Sequence, residues 1–236
     1  MLDFETFVLC ASTGDLADAR TETARSHADA IEFRMDLATD PFGALAAYDE
    51  SLPLLVTYRP EWEGGAYTGD ESARLDAIVD VAGHDAVEAV DIEVDTLRTD
   101  VGKEAAEAVR EQGATVVASA HDFERTPASS ALRRLLYEAA TLGDVGKVAV
   151  TATSRADALR LLEATDAATT WGETVATMAM GEAGSHTRAV APVYGSRIGY
   201  APVDPAEATA PGQYDLATLR TLVDGLNGAN PPTADG

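Results

Sequence analysis

The strongest constraint on this chain is a repeated alternation, in which a short apolar run is followed by an amphipathic or polar stretch, eight times over. The runs read as strands at 7–12 (FVLCAS), 30–36 (AIEFRMD), 53–59 (PLLVTYR), 86–94 (AVEAVDIEV), 114–121 (ATVVASAH), 147–152 (KVAVTA), 174–181 (TVATMAMG) and 197–203 (RIGYAPV). The clearest helical patterns lie at roughly 15–28, 70–83, 99–112, 128–142, 154–165 and 214–226. The segment 99–112 opens on a Thr-Asp pair and stops before Gly113, a favourable cap at each end. Strands that each feed a helix or loop predict an α/β fold with a parallel sheet. No strong linker divides the chain. The expected closure is therefore one single-domain (β/α)8 TIM barrel over 1–228, with 229–236 as a flexible tail. A doubly wound open sheet is the alternative. The thinnest units are 37–52, with little room for a helix, and 182–196, rich in Gly and Ser.

Composition narrows the partners. Forty acidic residues stand against seventeen basic ones, a net charge of −23, spread along the chain rather than gathered in a tail. A dense carboxylate surface suits very high salt, where its self-repulsion is screened. Nucleic acid is excluded as a partner, because counterion-release binding needs a basic footprint. With 46% hydrophobic residues the chain is globular. It has no run long enough for a membrane span and no signal-peptide pattern at its start, so a cytoplasmic protein is expected. Cys10, the single cysteine, sits in an apolar run and reads as a small core residue.

In a barrel, chemistry gathers at the C-terminal strand ends. Glu32, Arg34 and Asp36 alternate along the second strand, and Asp91, Glu93 and Asp95 along the fourth; period two places each set on one face. The third strand ends at Arg59, followed by Pro-Glu-Trp-Glu-Gly-Gly. The fifth ends at His121, a candidate acid–base group. The seventh carries Met178 and Met180 on one face, Arg188 follows in a loop, and Pro211-Gly212 present Gln213. The other histidines, 27, 84 and 186, lie in helix-end or loop patterns.

Lysine is the rarest signal. Only Lys103 and Lys147 occur; Lys103 lies in a polar helical pattern, whereas Lys147 opens an apolar strand. An amine stripped of water is disfavoured as a cation, and a neutral amine attacks carbonyls. There is no HExxH, CxxC, GxGxxG or P-loop. A lysine, a histidine, three arginines and a glutamate at one barrel mouth suggest cofactor-free and metal-free chemistry on a small carbonyl compound that bears a carboxylate.

The segments IEFRMD (31–36), TYRPEWEGG (57–65), ASAHDFERTP (118–127), GKVAV (146–150), MAMGEAGSHTR (178–188), VYGSRIGY (193–200) and APGQ (210–213) together resemble the type I 3-dehydroquinate dehydratases, from about residue 7 to 225. The resemblance is to a haloarchaeal-like member. It implies a (β/α)8 barrel of the shikimate pathway of aromatic amino-acid biosynthesis, a hydro-lyase acting on 3-dehydroquinate without a cofactor, and often a homodimer. It further implies Lys147 as the Schiff-base lysine, His121 as general base and acid, and Glu63 as the acid that orients that histidine. Arg188 matches the ligand of the substrate carboxylate. Glu32, Arg34, Arg59 and Gln213 match residues that hold the substrate's hydroxyls and ring, and Met178 and Met180 match pocket-lining positions. Thr209 stands where the family often has serine. A class I aldolase barrel would share the lysine but would want a phosphate site near strands seven and eight, for which MGEAGSHTR offers no clear helix start. A non-catalytic binding barrel would have no need of both Lys147 and His121.

Overall fold

The structure is a computed structural model that describes residues 2–204 and 212–229, with side chains up to 226. Thr209 and residues 230–236 of the expected tail lie outside the described residues. Within them, eight strands form: β1 (Val8–Thr13), β2 (Ala30–Arg34), β3 (Leu54–Thr57), β4 (Val87–Glu93), β5 (Thr115–Asp122), β6 (Val145–Thr151), β7 (Val175–Met180) and β8 (Ile198–Pro202). They pair in parallel in the order β7-β6-β5-β4-β3-β2-β1-β8. The seam between β7 and β8 is stitched at its lower end. Arg197 N–H donates to the Val175 carbonyl at 2.8 Å. Ser196 Oγ accepts from Thr177 N–H at 2.9 Å and donates to the Thr177 carbonyl at 3.4 Å. The sheet thus curls into a (β/α)8 barrel, not an open doubly wound sheet.

The helices form where local chemistry starts and stops them. They are α1 (Glu22–His27), α2 (Pro41–Ala46), α3 (Glu71–Ala82), α4 (Val94–Leu97), α5 (Asp100–Glu111), α6 (Ser129–Leu142), α7 (Arg155–Thr170), α8 (Thr187–Val190) and α9 (Leu216–Ala229). Thr99 caps α5 by accepting from Gly102 N–H at 3.1 Å. Ser154 and Asp157 form a reciprocal capping box on α7. The helical pattern at 15–28 is broken in two, because Thr21 accepts from Ala24 N–H and starts a new helix after a short 3-10 turn at Leu16–Arg20. The thin units are as short as their sequence implied. Unit two holds only six helical residues, and 182–196 holds α8 between two 3-10 turns. Among the described residues no helix is long and apolar enough to cross a membrane.

Alternation along each strand divides the core. Leu9, Ile31, Phe33, Val56, Val90, Ile92 and Val116 pack outward under the helices, as do Val148 and Val150 of β6. Cys10, Ala30, Leu55, Ala89, Val117, Val145, Ala176 and Ile198 fill the barrel's lower interior. Cys10 is fully buried there, a small core residue as its context suggested.

Candidate active site

Above that apolar plug the inward positions turn polar. Lys147 on β6 is 4% exposed and points inward; the valines that follow it face the helices. Its Nζ lies 2.8 Å from Asp91 Oδ2, 3.9 Å from Glu32 Oε1 and 4.2 Å from the centre of the Tyr200 ring. The amine is therefore stripped of bulk water, as expected from the sequence, but by an ionic cage and not by an apolar pocket.

The cage extends sideways. Arg59 donates through Nη2 to Asp91 Oδ1 at 2.8 Å, and through Nη1 to Glu93 Oε1 at 2.5 Å and Ser119 Oγ at 2.8 Å. Arg74, fully buried on α3, pairs with Glu93 Oε2 at 2.7 Å and donates to the Tyr58 carbonyl at 2.8 Å. Burial alone would raise the Asp91 carboxyl, but Arg59 and Lys147 outweigh it and hold the group well below the usual carboxylate range. Glu32 accepts from Ser12 Oγ at 2.5 Å and Thr57 Oγ1 at 3.0 Å. Asp36 and Asp95 leave their expected faces. Asp36 lies past the end of β2, where it takes a two-pronged bond from Arg34 at 2.9 and 2.7 Å and also accepts from the backbone N–H groups of Arg59 and Ala66. It anchors the loop after β3. Asp95 falls in α4, exposed, and pairs with Arg98, because β4 ends at Glu93.

That anchored loop delivers Glu63. Its Oε1 accepts from the backbone N–H of His121 at 2.8 Å and lies 3.1 Å from His121 Nδ1. The carboxylate favours the tautomer with the proton on Nδ1, which leaves the Nε2 lone pair free as a base. Burial pushes the Glu63 carboxyl up to about 7, with Arg59 and the His121 N–H pulling the other way. Burial first, then Arg59 and Lys147, push the His121 imidazole well below its ordinary 6.5. The histidine is accordingly neutral around pH 7.

Arg188 sits in α8, which Thr187 pins to β7: its hydroxyl accepts from Ala179 N–H at 2.9 Å and donates to the Gly184 carbonyl at 2.7 Å. The Arg188 guanidinium is 5% exposed, has no acidic partner among the described residues, and leaves Nε without a hydrogen bond. Desolvation brings it down to about 10, so it remains a cation at neutral pH. A buried, unneutralised guanidinium is a site for an anion. Gly212, at φ +78, would bring a Cβ to 2.8 Å from the Gly181 carbonyl, so glycine there lets the loop carrying Gln213 lie across the end of β7.

These parts line one cavity of about 590 Å3 including its open mouth. Glu32, Arg34, Arg59, Glu63, His121, Lys147, Met178, Met180, Arg188 and Gln213, all named from the sequence, border it together. Tyr200, Thr57 and Phe123 border it as well and escaped sequence reading as site residues. So did Arg74, a support behind the cage; its signal was an arginine on the apolar stripe of α3 beside Leu75 and Ile78. Among the described residues no cluster of three His, Cys, Asp or Glu side chains is arranged to hold a metal.

A parallel eight-stranded barrel with a caged lysine, a carboxylate-held imidazole and an open guanidinium at its C-terminal mouth defines a barrel enzyme of the lysine-bearing kind. The type I 3-dehydroquinase family model matches residues 6–229, and the chain belongs to that family. The chain is 55% identical over 233 residues to 3-dehydroquinate dehydratase of Haloquadratum walsbyi, covering 95% of this chain and 94% of that relative. It is 56% identical over 229 residues to the Haloarcula marismortui protein of the same name, covering 95% and 98%. Among solved structures, 3-dehydroquinate dehydratase from Geobacillus kaustophilus superposes with a TM-score of 0.83 at 28% identity, over 94% of this chain and 92% of that one.

Proposed function

We propose that this chain dehydrates 3-dehydroquinate to 3-dehydroshikimate and water, a step of the shikimate pathway, through an imine on Lys147. The observation that carries the reading is the shared cavity, in which the buried Lys147 amine and the Glu63-held His121 imidazole stand with Arg188, which has no acidic partner among the described residues. Arg188 would take the substrate carboxylate. Gln213, Arg34 and Glu32 line the same cavity and would hold its hydroxyls, and Met178 and Met180 would pack against the ring. Arg59 borders the same space, but Asp91, Glu93 and Ser119 engage its donors, so its part is to hold the cage.

The chemistry follows from these placements. Once the Lys147 ammonium has given up a proton, its amine lone pair adds to the C3 ketone, and the carbinolamine takes a proton on its hydroxyl and loses water to give a protonated imine. The positive nitrogen makes the neighbouring C2 proton acidic, because the electron pair left behind can flow into it as an enamine. His121 Nε2 takes that proton. The enamine pair then returns and expels the C1 hydroxyl, which leaves as water with the proton from His121. Hydrolysis of the product imine restores Lys147.

Incubation with 3-dehydroquinate and borohydride in concentrated KCl should yield a mass adduct on Lys147. An adduct elsewhere, or none, overturns the imine route. His121→Ala should slow turnover about 10²–10⁴-fold, the usual worth of acid–base help, while the adduct still forms. The −23 charge and the haloarchaeal relatives support a chain suited to concentrated salt. Its melting temperature should fall as KCl is diluted; an unchanged melting temperature in dilute buffer would contradict that reading.

A further inference from the structure

Phe123 stands at the mouth of the cavity with about half its surface in solvent (52%), an unusual place for a large apolar ring. Its ring plane lies 9° from that of His121, with centroids 5.7 Å apart, within the range of offset aromatic stacking. His121 lies near the end of β5, and Phe123 is the first residue after it, in the bend that follows Asp122. Asp122 between them accepts from the N–H groups of Glu124 and Arg125 at 3.0 and 2.9 Å, which pins the turn that carries Phe123.

The far edge of the ring rests on Gly64. A Cβ at Gly64 would stand 2.5 Å from Phe123 Cζ and 2.8 Å from Cε2, closer than real contacts allow. Gly64, at φ +77, directly follows Glu63. Two neighbours on one loop therefore reach His121 by different routes: Glu63 holds the Nδ1 edge, and Gly64 seats the ring that lies along its face. A hydrogen bond at one nitrogen fixes a point and leaves the ring plane free to tilt about it. A second, flat contact removes that freedom.

We propose that Phe123, seated on Gly64, is a positioning residue that sets the plane of the His121 imidazole, so that Nε2 stays turned into the cavity. The inference rests on His121 as the group that moves the proton, and extends that reading to the residues that aim it. A tilted imidazole still binds Glu63 but misses the C2–H and C1–OH geometry, and near-attack alignment is where rate is lost when groups shift.

The test is steady-state and single-turnover kinetics on the full chain in concentrated KCl. Phe123→Leu, with Phe123→Met as a second variant should leucine fail to fold, is expected to lower kcat about 10- to 100-fold, part of the worth of acid–base help. KM should stay within about twofold and the rate of borohydride-trapped adduct on Lys147 should be unchanged. The isotope effect with C2-deuterated substrate should rise. Gly64→Ala should reproduce this loss. Combined with Phe123→Leu it should cost nothing further in kcat, because the added methyl then meets no ring. Gly113→Ala, at φ +91 with nothing within 4 Å, isolates backbone strain and should leave kcat unchanged. Wild-type kcat in Phe123→Leu, or independent multiplying losses in the double variant, overturns the proposal. His121→Ala run alongside separates the two levels. If it also keeps wild-type turnover, the role of His121 fails; if it alone falls, only the role of Phe123 fails.

Discussion

The barrel interior has two storeys built from the same strands, and they obey opposite rules. In the lower one, Cys10, Ala30, Leu55, Ala89, Val117, Val145, Ala176 and Ile198 close the barrel with apolar contact. Two residues further along each strand stand Ser12, Glu32, Thr57, Asp91, Ser119, Lys147, Met178 and Tyr200, nearly all of them polar. Charges buried this deeply each cost several kcal/mol unless paired. The upper storey meets that cost by balance: Lys147, Arg59 and Arg74 face Asp91, Glu93 and Glu32. A chain of net charge −23 thus keeps a neutral centre. The lower storey supplies shape and stability, and the upper one keeps an amine out of bulk water at the edge of a cavity.

Single substitutions in the two storeys should fail in different ways. The largest effect belongs to the upper storey's reactive member. Lys147→Met should abolish turnover by at least about 10⁴-fold, on the scale of losing a catalytic nucleophile. The fold should survive, because Arg59 still pairs with Asp91; kinetics beside a thermal melt decide it. Next comes Arg59→Met, which strips partners from two buried carboxylates at once. It should cost about 3–5 kcal/mol of stability, as expected for a broken buried pair, and lower activity as well; urea unfolding in concentrated KCl measures it. Leu55→Ala, below, should cost about 2–5 kcal/mol through the cavity it leaves but keep kcat/KM within a few-fold. A large kcat loss there would merge the two storeys.

The smallest effect concerns pH. Between the ordinary carboxyl value of 4.5 and the ordinary imidazole value of 6.5, the unfolded chain holds a proton on His121 and none on Glu63. The folded chain holds one on Glu63, raised to about 7, and binds His121's proton more weakly than the unfolded chain does, because its imidazole is lowered. The two contributions oppose each other: Glu63's stabilisation is complete below 4.5 and lost as pH rises through 7, whereas His121's is complete above 6.5 and lost as pH falls. Stability from this pair should be nearly level across the window. In Glu63→Gln only the histidine remains, so stability should fall as pH drops below 6.5, by up to about 1.4 kcal/mol per unit for one proton. Urea titrations at pH 5 and 7 on both proteins test the sign.

Much of this was legible in advance, for particular reasons. The eight runs predicted the barrel because period-two alternation and short apolar stretches are local properties. His121 and Arg188 stood out as polar residues beside strand ends, and Lys147 as one of two lysines. Asp36 and Asp95 were misplaced because alternation was extended past the points where β2 and β4 end, and a strand's end depends on its neighbours' hydrogen bonds. Arg74 and Phe123 were passed over because a helix stripe and a loop aromatic acquire meaning only from what they touch.

Residue type and short-range period were enough for the element order, the barrel class, the acidic balance and the candidate site residues. It took the folded structure to put Lys147 in an ionic cage, Glu63 against His121, and Arg188 without an acidic partner among the described residues. Those facts depend on closing the sheet, which brings residues from β2, the loop after β3, β4, β5, β6 and α8 around one cavity. The charges that balance there lie tens of residues apart along the chain, where no local pattern couples them.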